Sequence, residues 1–487
     1  MLNKFAAAFL IALAVVLTGV AGWGLIYLPD QMKNEAQRTI ANLREVLARD
    51  APSLALTHGA ISANPFTAQV SVADFSLGRL GGPALKAREL AFTIDPFSRR
   101  LSAIQATTLR FDQERAQTRI HRMRIEGVTP ETLNLLQQAS QGEADFEDVV
   151  RKLRIPRLMF SGINVTAPRE GEMNLRQIAI ENLEKGIVGR FSMEGFNLYS
   201  RAGANPGEFA VDRIAFNEFN FGEIAVAASN FNFFPQITAP VIKDFSFAGI
   251  RAQSDDANLT IGRGALEAVY GINDEGRPYA QKAMFSIEDI SIRPVGSGGK
   301  LQEFLSQAGI SRIEARLNVS TTGDHSSRTM AMEEMSFVVE GLADVDVKLA
   351  MANVPKGLYE LSTRPEDAFT LMAQLGNATI TGGSLTLANA KFIKLAMEQA
   401  ERRQGVNTMA MITAMIGHAR QEAERRGQTS FIPLADELEK FLLDPKSLEV
   451  TLAPPAPVPL HVFMGSAGTR DPAWLIRTLG LTVEANR

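Results

Sequence analysis

Alternation of apolar and polar residues, sustained from His58 to about Pro355, is the feature that most constrains the fold of this chain. Two stretches show it clearly, "FTAQVSVADFSLG" and "GEFAVDRIAFNEFNFGE". In the second stretch the apolar positions slip by one residue twice, after Val211 and again after Phe216. Period-two alternation predicts strands, and one-residue slips predict bulges or tight turns within them. The segment is therefore predicted to be mostly β.

Residues 52–355 are predicted to form this β-rich part, with one helical insertion at 129–153 that opens with Thr-Pro-Glu. Three tetrapeptides that begin at Gly162, Gly195 and Gly249 are each predicted to open a strand. Their spacing, 33 and then 54 residues, is too uneven for a solenoid of fixed period. The pattern instead indicates hairpins added one after another, so we predict a long antiparallel sheet with one apolar face.

Phenylalanine dominates the apolar positions from Phe191 to Phe247, where 11 of the 28 Phe residues fall, against two Trp and five Tyr in the whole chain. Phe supplies large apolar area without a polar group, which is typical of a dry core or a lipid-lined trough and not of a sugar or peptide site. The alternation alone leaves both structures open. Our first hypothesis is a groove that holds acyl chains, with Phe209, Phe216, Phe219, Phe221, Phe231 and Phe233 as the candidate contacts.

Residues 356–487 have a different texture and predict an α+β cap. A hairpin in "NATITGGSLTLAN" is followed by helices, a proline-rich extended segment, and a closing helix and strand. One helix carries Met409, Ile412 and Ile416 along a stripe, with Arg420 on the opposite side. Such a stripe is typical of a helix face on a core, and less often of an adaptable surface for a partner or a membrane.

An uncharged run of 24 residues, Phe5–Leu28, precedes the rest of the chain. As a helix it would be about 36 Å long, enough to cross a hydrocarbon core of about 30 Å. A cleaved secretory signal has only about 7 to 15 apolar residues. We predict that residues 1–28 form a single transmembrane anchor. Residues 29–51 then form an amphipathic juxtamembrane helix, which either packs on the body or stands as a solvated stalk.

The side of the membrane does not follow from charge alone. Lys4 precedes the predicted span, whereas Lys33, Arg38 and Arg44 follow it, so the count of basic residues does not favour export. The short amino-terminal tail and the build of an uncleaved signal do favour export. We predict a single-pass protein with its body in a periplasm.

Charge and motif content remove several function classes. A net charge of -4 and a pI near 5.9 argue against a nucleic-acid partner. The chain has no cysteine, and its five histidines lack metal-ligand spacing and are interpreted as lone surface or boundary residues. The Gly-x-Ser-x-Gly elbow of serine hydrolases is absent from the sequence. We expect no catalytic residue, no metal and no cofactor.

One cluster of charge stands out, with seven arginines between Arg99 and Arg124. Guanidinium groups suit phosphate oxygens, so a stripe near the membrane-proximal end is a candidate for binding lipid headgroups. A solvated face is the alternative. The candidates are Arg110, Arg115, Arg119, Arg122 and Arg124.

Several of these features together resemble the AsmA-like group of bacterial inner-membrane-anchored envelope proteins and its YdgA-like relatives. They are the single N-terminal span, motifs such as Gly-Phe-Asn-Leu, "LTIGRGALEA" (Leu259–Ala268), and "LDPKSLEVTLAPPAPVPL". The resemblance covers most of residues 1–450. It implies a long, bent sheet with a hydrophobic inner groove that stands in the periplasm and assists lipid movement or outer-membrane assembly, without catalytic residues. The chain is shorter than the envelope-spanning members, so transport from end to end by one copy is not implied.

Two functions remain as hypotheses. The first is a non-enzymatic, membrane-anchored periplasmic protein whose hydrophobic β groove takes membrane phospholipid. The second is a structural or regulatory envelope scaffold with a packed core, which binds other envelope proteins through its C-terminal cap.

Overall fold

The structure is a computed structural model, and its strands bear out a mainly β fold built from long antiparallel ladders. Among the described residues no helix is long and apolar enough to cross a bilayer. The span predicted at Phe5–Leu28 lies outside the described residues and stays a prediction. The structure describes residues 29–50, 54–79, 84–95, 101–112, 116–129, 131–132, 134–135, 138, 149, 151–168, 170–201, 207–220, 242–276, 278–295, 300–359, 374–405, 407–462 and 472–487.

The chain divides into two compact units. Unit 1 comprises Met1–Phe233 and Asp244–Phe247, and unit 2 comprises Phe234–Lys243 and Ala248–Arg487. In unit 1 each strand from β3 to β10 pairs antiparallel with the next along the chain, while β1 and β2 both pair with β3. Its strands are β1 (Leu54–Thr57), β2 (Ile61–Asn64), β3 (Gln69–Arg79), β4 (Ala84–Ile94), β5 (Leu101–Asp112), β6 (Gln117–Glu126), β7 (Arg154–Ala167), β8 (Gly171–Glu184), β9 (Ile187–Ser200) and β10 (Gly207–Asn220).

In unit 2 the strands pair in chain order from β12 to β18, with β20 beside β18 and the short β19 beside β17. The strands of residues 356–487 thus continue this ladder. β11 (Asp244–Gln253) has its first four residues in unit 1. The others are β12 (Ala257–Ile272), β13 (Pro278–Pro294), β14 (Ile313–Asp324), β15 (Thr329–Val339), β16 (Ala343–Ala352), β17 (Thr379–Ala388), β18 (Ser447–Leu452), β19 (Val458–Pro459) and β20 (Leu481–Ala485).

Helices flank the strands in both units. The described residues of the insertion predicted at 129–153 include helical positions at 131–132, 134–135, 138, 149 and 151–152. A helix that the alternation did not predict lies within the β-rich segment and buries Leu305. The helices are α1 (Pro29–Asp50), α2 (Lys300–Ala308), α3 (Lys391–Gln404), α4 (Thr408–Arg425), α5 (Ile432–Leu443) and α6 (Pro472–Leu479), with 3-10 turns at Lys356–Leu358 and Thr429–Phe431.

Helix α1 packs on the first strands of unit 1 and does not stand as a solvated stalk. Met32, Ala36 and Ile40 recur every four residues on one side of the helix, and all three are buried in the core formed with β1 to β6. Arg44 at its far end donates from Nε to the Leu56 carbonyl at 3.2 Å. The helix therefore covers the apolar face of this part of the sheet.

The one-residue slips expected in the strands are present. On β10 the pairs with β9 continue in the same register on both sides of Asp212 and of Glu218, while these two residues are not among the paired positions. Glu218 has a positive φ of 49°. The rings of Phe216 and Phe219 lie 5.2 Å apart, although residues three apart in a regular strand point to opposite faces. The slip therefore returns the next Phe to the same face.

The glycines predicted to open strands do not do so. Gly162, Gly195 and Gly249 lie inside β7, β9 and β11, with φ of 63°, 65° and 65°. A Cβ at Gly195 would lie 2.9 Å from the Cβ of Arg176 on the neighbouring strand. Glycine is thus required there to make a slip within a continuing strand, because other residues avoid this backbone conformation.

Candidate functional site

The apolar face of unit 1 is sealed at one end and partly exposed at the other. In the core that α1 helps to form, side chains such as Leu77, Ile104 and Leu109 are 4% exposed or less. On β7 the apolar positions are all half-buried, including Phe160, and on β9 Leu198 is 40% exposed. Leu175, Val188 and Val211 on the same face are buried, so the exposure at this end is partial.

A cluster of phenylalanines occupies the partly exposed end of this face. Phe216 on β10 lies directly opposite Phe191 on β9, and their rings meet edge to face with centroids 5.4 Å apart. Phe216 also contacts Phe219 and Phe245, the latter at 5.0 Å, and Phe245 contacts Phe247 at 5.8 Å. We call the apolar side of β9 to β11, with its rings Phe191, Phe196, Phe209, Phe216, Phe219, Phe245 and Phe247, the Phe face.

Three of the six predicted groove residues can be placed. Phe209, Phe216 and Phe219 share the Phe face, where Phe209 is 39% exposed and pairs with Phe196 at 6.1 Å. Every ring of the Phe face is half-buried or exposed, so the described rings do not form a sealed core. The other three candidates, Phe221, Phe231 and Phe233, lie outside the described residues.

Unit 2 carries a second apolar face that the sequence analysis did not single out. One row of paired residues crosses eight strands, which at about 4.8 Å spacing makes roughly 34 Å. No member of the row is buried, and Leu385 is 40% exposed. A parallel row adds Phe337, which is 38% exposed. The first row consists of Leu266, Phe285, Val319, Met335, Val347, Leu385, Val450 and Val483, and it defines the unit 2 apolar face.

The opposite side of the unit 2 sheet is polar. The adjacent row runs through Ser286, Asn318, Ser336, Asp346 and Thr386 and ends in Glu449 and Glu484. Helix α5 packs on β20 and β18, and Glu437 Oε2 accepts a hydrogen bond from the Ala485 N–H at 2.9 Å. Alternation within each strand could have revealed the unit 2 apolar face, but the strands that form it are spread over more than 200 residues of sequence.

The register sorts the predicted headgroup residues into two groups. Arg110 on β5 lies directly opposite Arg119 on β6, and both are exposed on the polar side of unit 1. Arg122 shares that side, whereas Arg124 forms an ion pair with Glu126 at 2.6 Å. Arg115 lies outside the described residues. The register also adds Lys86 on β4, directly opposite Arg110.

A buried aromatic cluster in unit 2 corrects one histidine assignment. His325 was expected at the surface or a boundary, but it is 4% exposed and lies between Tyr279 and Tyr359. Burial raises the pKa of Tyr359 to about 12, and its hydroxyl donates to the Thr329 carbonyl at 2.8 Å. Within the described ranges, no group of three or more acidic, histidine or cysteine side chains could hold a metal ion.

Helix α4 presents its methionines outward. Ile412 and Ile416 are buried, as predicted, but Met409 is 43% exposed, although it lies one turn before Ile412 on the same side of the helix. The predicted packing of this stripe on a core was therefore wrong at Met409. Arg420, expected opposite the core, forms ion pairs with Asp436 and Glu439 of α5 because the two helices pack together.

Comparison with known proteins gives a match that covers part of the chain. A family model described only as "Uncharacterized protein" matches residues 336–486, which is less than half of the chain. No curated protein matches the sequence.

Proposed function

We propose that the chain is a non-enzymatic, membrane-anchored protein of the bacterial periplasm whose apolar sheet faces hold the acyl chains of membrane phospholipid and assist lipid transfer or envelope assembly. The predicted span at Phe5–Leu28 would anchor it in the inner membrane, and the resemblance to the AsmA-like group supports the same activity. No reaction is required, because the protein would only shield lipid tails from water.

One observation carries the proposal: apolar sheet faces in both units are left partly exposed, whereas the same kind of face is buried in the core that includes α1. Leu109 is 4% exposed, but Phe209 and Leu385 are 39% and 40% exposed. Soluble monomers rarely expose contiguous apolar patches larger than a few hundred Å² unless the patch binds something. The other face of the same strands is polar, so these strands are not packed against a core on both faces.

The chemistry of these faces suits acyl chains. Their side chains are Phe, Leu, Val, Met and Ile, which offer area without hydrogen bonds. Moving a methylene group from water to such a surface gains about 0.8 kcal/mol. A row that crosses many strands offers this gain at each step, so a chain can move along it without leaving an apolar surface.

The experiment is to purify the full chain in mild detergent and to identify bound lipid by mass spectrometry. We expect phospholipid with the wild type and a large loss with Phe216→Glu combined with Phe337→Glu. The matched control places the same charges on the other side of the sheet with Ser192→Glu, which pairs with Ala215 beside Phe216, and Ser336→Glu, which precedes Phe337 in sequence. A lipid-free wild type, or equal lipid in both double variants, would refute the proposal.

A second function is favoured by the exposed methionines of α4. Met411 and Met415 are 51% and 57% exposed, and methionine is common on adaptable protein-binding surfaces. An envelope scaffold that binds partner proteins through its C-terminal helices would use them. Met411→Glu with Met415→Glu should then abolish recovery of a specific envelope partner while bound lipid is unchanged. Unchanged recovery of the partner would remove this candidate.

A further inference from the structure

Three cations stand side by side on the polar side of unit 1. Lys86 on β4 pairs in register with Arg110 on β5, and Arg110 pairs with Arg119 on β6. Each is exposed, and its neighbours Leu109 and Ala87 are buried on the other side of the sheet. We call Lys86, Arg110 and Arg119 the cationic row.

The three side chains of this row have no acidic partner among the described residues. In the part of the chain that the structure describes, none of the three side chains makes an ion pair or a hydrogen bond. Residues directly opposite on antiparallel strands have Cβ atoms about 4.5–5.5 Å apart, where like charges repel. A row of three such cations is therefore unfavourable for the fold unless an anion lies over it.

The described acidic residues that flank the row on this side include Glu89, which lies across Thr107 from Arg122, and Glu172, and neither makes an ion pair with the row. The next residue along the row is Asn164, opposite Arg119, and it donates to Glu172 Oε1 at 2.9 Å. Asn174 donates to the same oxygen at 3.1 Å, so Glu172 is held by the asparagines. These hydrogen bonds, from Asn174 first, lower the pKa of Glu172. Arg122 extends the positive surface beyond the row, where its partners across the sheet are Thr107 and Ser161.

We propose that the cationic row is a docking site for the phosphate groups of an anionic phospholipid bilayer. The ligand class follows from charge: guanidinium groups bind phosphate oxygens in pairs, and a row of three cations fits a layer of headgroups. The strands that carry the row follow α1, which begins at Pro29, so the row lies early in the chain after the predicted anchor. The inference rests on the proposed membrane tether but not on acyl-chain binding by the Phe face.

The size of the effect follows from membrane electrostatics. Each Lys or Arg near an anionic surface strengthens binding about fivefold, so losing three should weaken docking roughly a hundredfold. The attraction should also fall at high ionic strength, because at about 0.15 M the screening length is about 8 Å.

The absence of cysteine allows a direct test with the full chain in lipid nanodiscs. The exposed Gln117, on the same side of β6 as Arg119, is changed by Gln117→Cys and labelled with a fluorescent donor. Energy transfer to acceptor-labelled headgroups is measured in discs of phosphatidylcholine alone and with about one-third phosphatidylglycerol. We expect strong transfer only with phosphatidylglycerol and its loss in about 0.5 M salt.

Charge variants complete the test. Lys86→Gln, Arg110→Gln and Arg119→Gln together should reduce transfer to the level seen with phosphatidylcholine. The control removes three exposed arginines that have acidic partners, Arg154, Arg402 and Arg425, by change to Gln. It should leave transfer unchanged.

Three results would overturn the inference. They are equal transfer in the two kinds of disc, unchanged transfer in the row variant, and an equal loss in the control variant. Inorganic phosphate is added to phosphatidylcholine discs as a separate arm. If it raises the thermal stability of the wild type but not of the row variant, while phosphatidylglycerol has no effect, the row binds free phosphate and not a bilayer. Lipid recovery by mass spectrometry tests the Phe face separately in every case.

Discussion

Two leucines on the apolar face of unit 1 provide a matched test of whether this face is partly open. Leu109 is 4% exposed in the core that includes α1, and Leu198 is 40% exposed opposite Phe209. Both are changed to alanine, so the chemistry removed is the same. The two variants differ only in what covers the site.

The expected magnitudes follow from burial. Leu→Ala removes the equivalent of about three methylenes, or about 2.4 kcal/mol at 0.8 kcal/mol each. At Leu109 a cavity adds to this, so we expect the free energy of unfolding to fall by about 3–4 kcal/mol. At Leu198 about 60% of the side chain is buried, which gives about 1.4 kcal/mol, and no closed cavity forms.

Because the chain has two units, unfolding of the whole molecule need not be two-state. The assay is therefore hydrogen exchange with mass spectrometry over a urea series, followed in peptides from β5 to β9. Each variant gives an opening free energy for unit 1 alone. Equal losses at Leu198 and Leu109 would show that Leu198 is covered, and the reasoning on which the lipid proposal depends would fail.

Two further predictions concern the backbone and the turns. Gly195→Ala should lower the stability of unit 1 by about 2 kcal/mol, because the position has a positive φ and the added Cβ would clash with the Cβ of Arg176. Gly341 also has a positive φ, but open space surrounds it, so Gly341→Ala should lower the stability of unit 2 by only about 1 kcal/mol in the same exchange assay. Hydrogen bonds from Ser326 and Ser327 lower the pKa of Asp324 from 3.8 to about 2. Since the folded pKa is the lower one, this stabilisation is present above about pH 4 and is lost as pH falls towards 2; exchange at the β14–β15 turn should rise in that window, and Asp324→Asn should remove the dependence.

The strands and their slips could be predicted from sequence because they depend on local patterns. Val211 and Ile214 are three residues apart, so they can share a face only if the strand slips by one residue between them. The structure has that slip. The role of Gly195 was mistaken, since glycine marks both the start of a strand and a positive φ within one. Sequence could not distinguish a new strand from a continuing strand that changes phase.

What covers each face could not be predicted, because covering is a tertiary property. Leu109 and Leu198 lie in equally alternating stretches, yet only the first is buried, in the core that includes α1. The cationic row is likewise invisible in sequence: Lys86 and Arg110 are 24 positions apart and meet only through strand register. Met409 was misplaced for a related reason, since helical spacing shows that it shares a side with Ile412 but not how far along the helix that side is packed.

The most direct measurement is photo-crosslinking of acyl chains to the Phe face of unit 1 and to the apolar side of the unit 2 sheet, in the full-length protein in its membrane. A benzophenone amino acid replaces Phe216, and in parallel Phe337, with Ser192 and Ile104 as controls. Ser192 lies beside Phe191 but on the other side of β9, and Ile104 is fully buried in the core of unit 1. We expect phospholipid adducts at the two Phe positions and none at the controls. Absence of adducts at both Phe positions, or equal adducts at Ser192, would contradict the account.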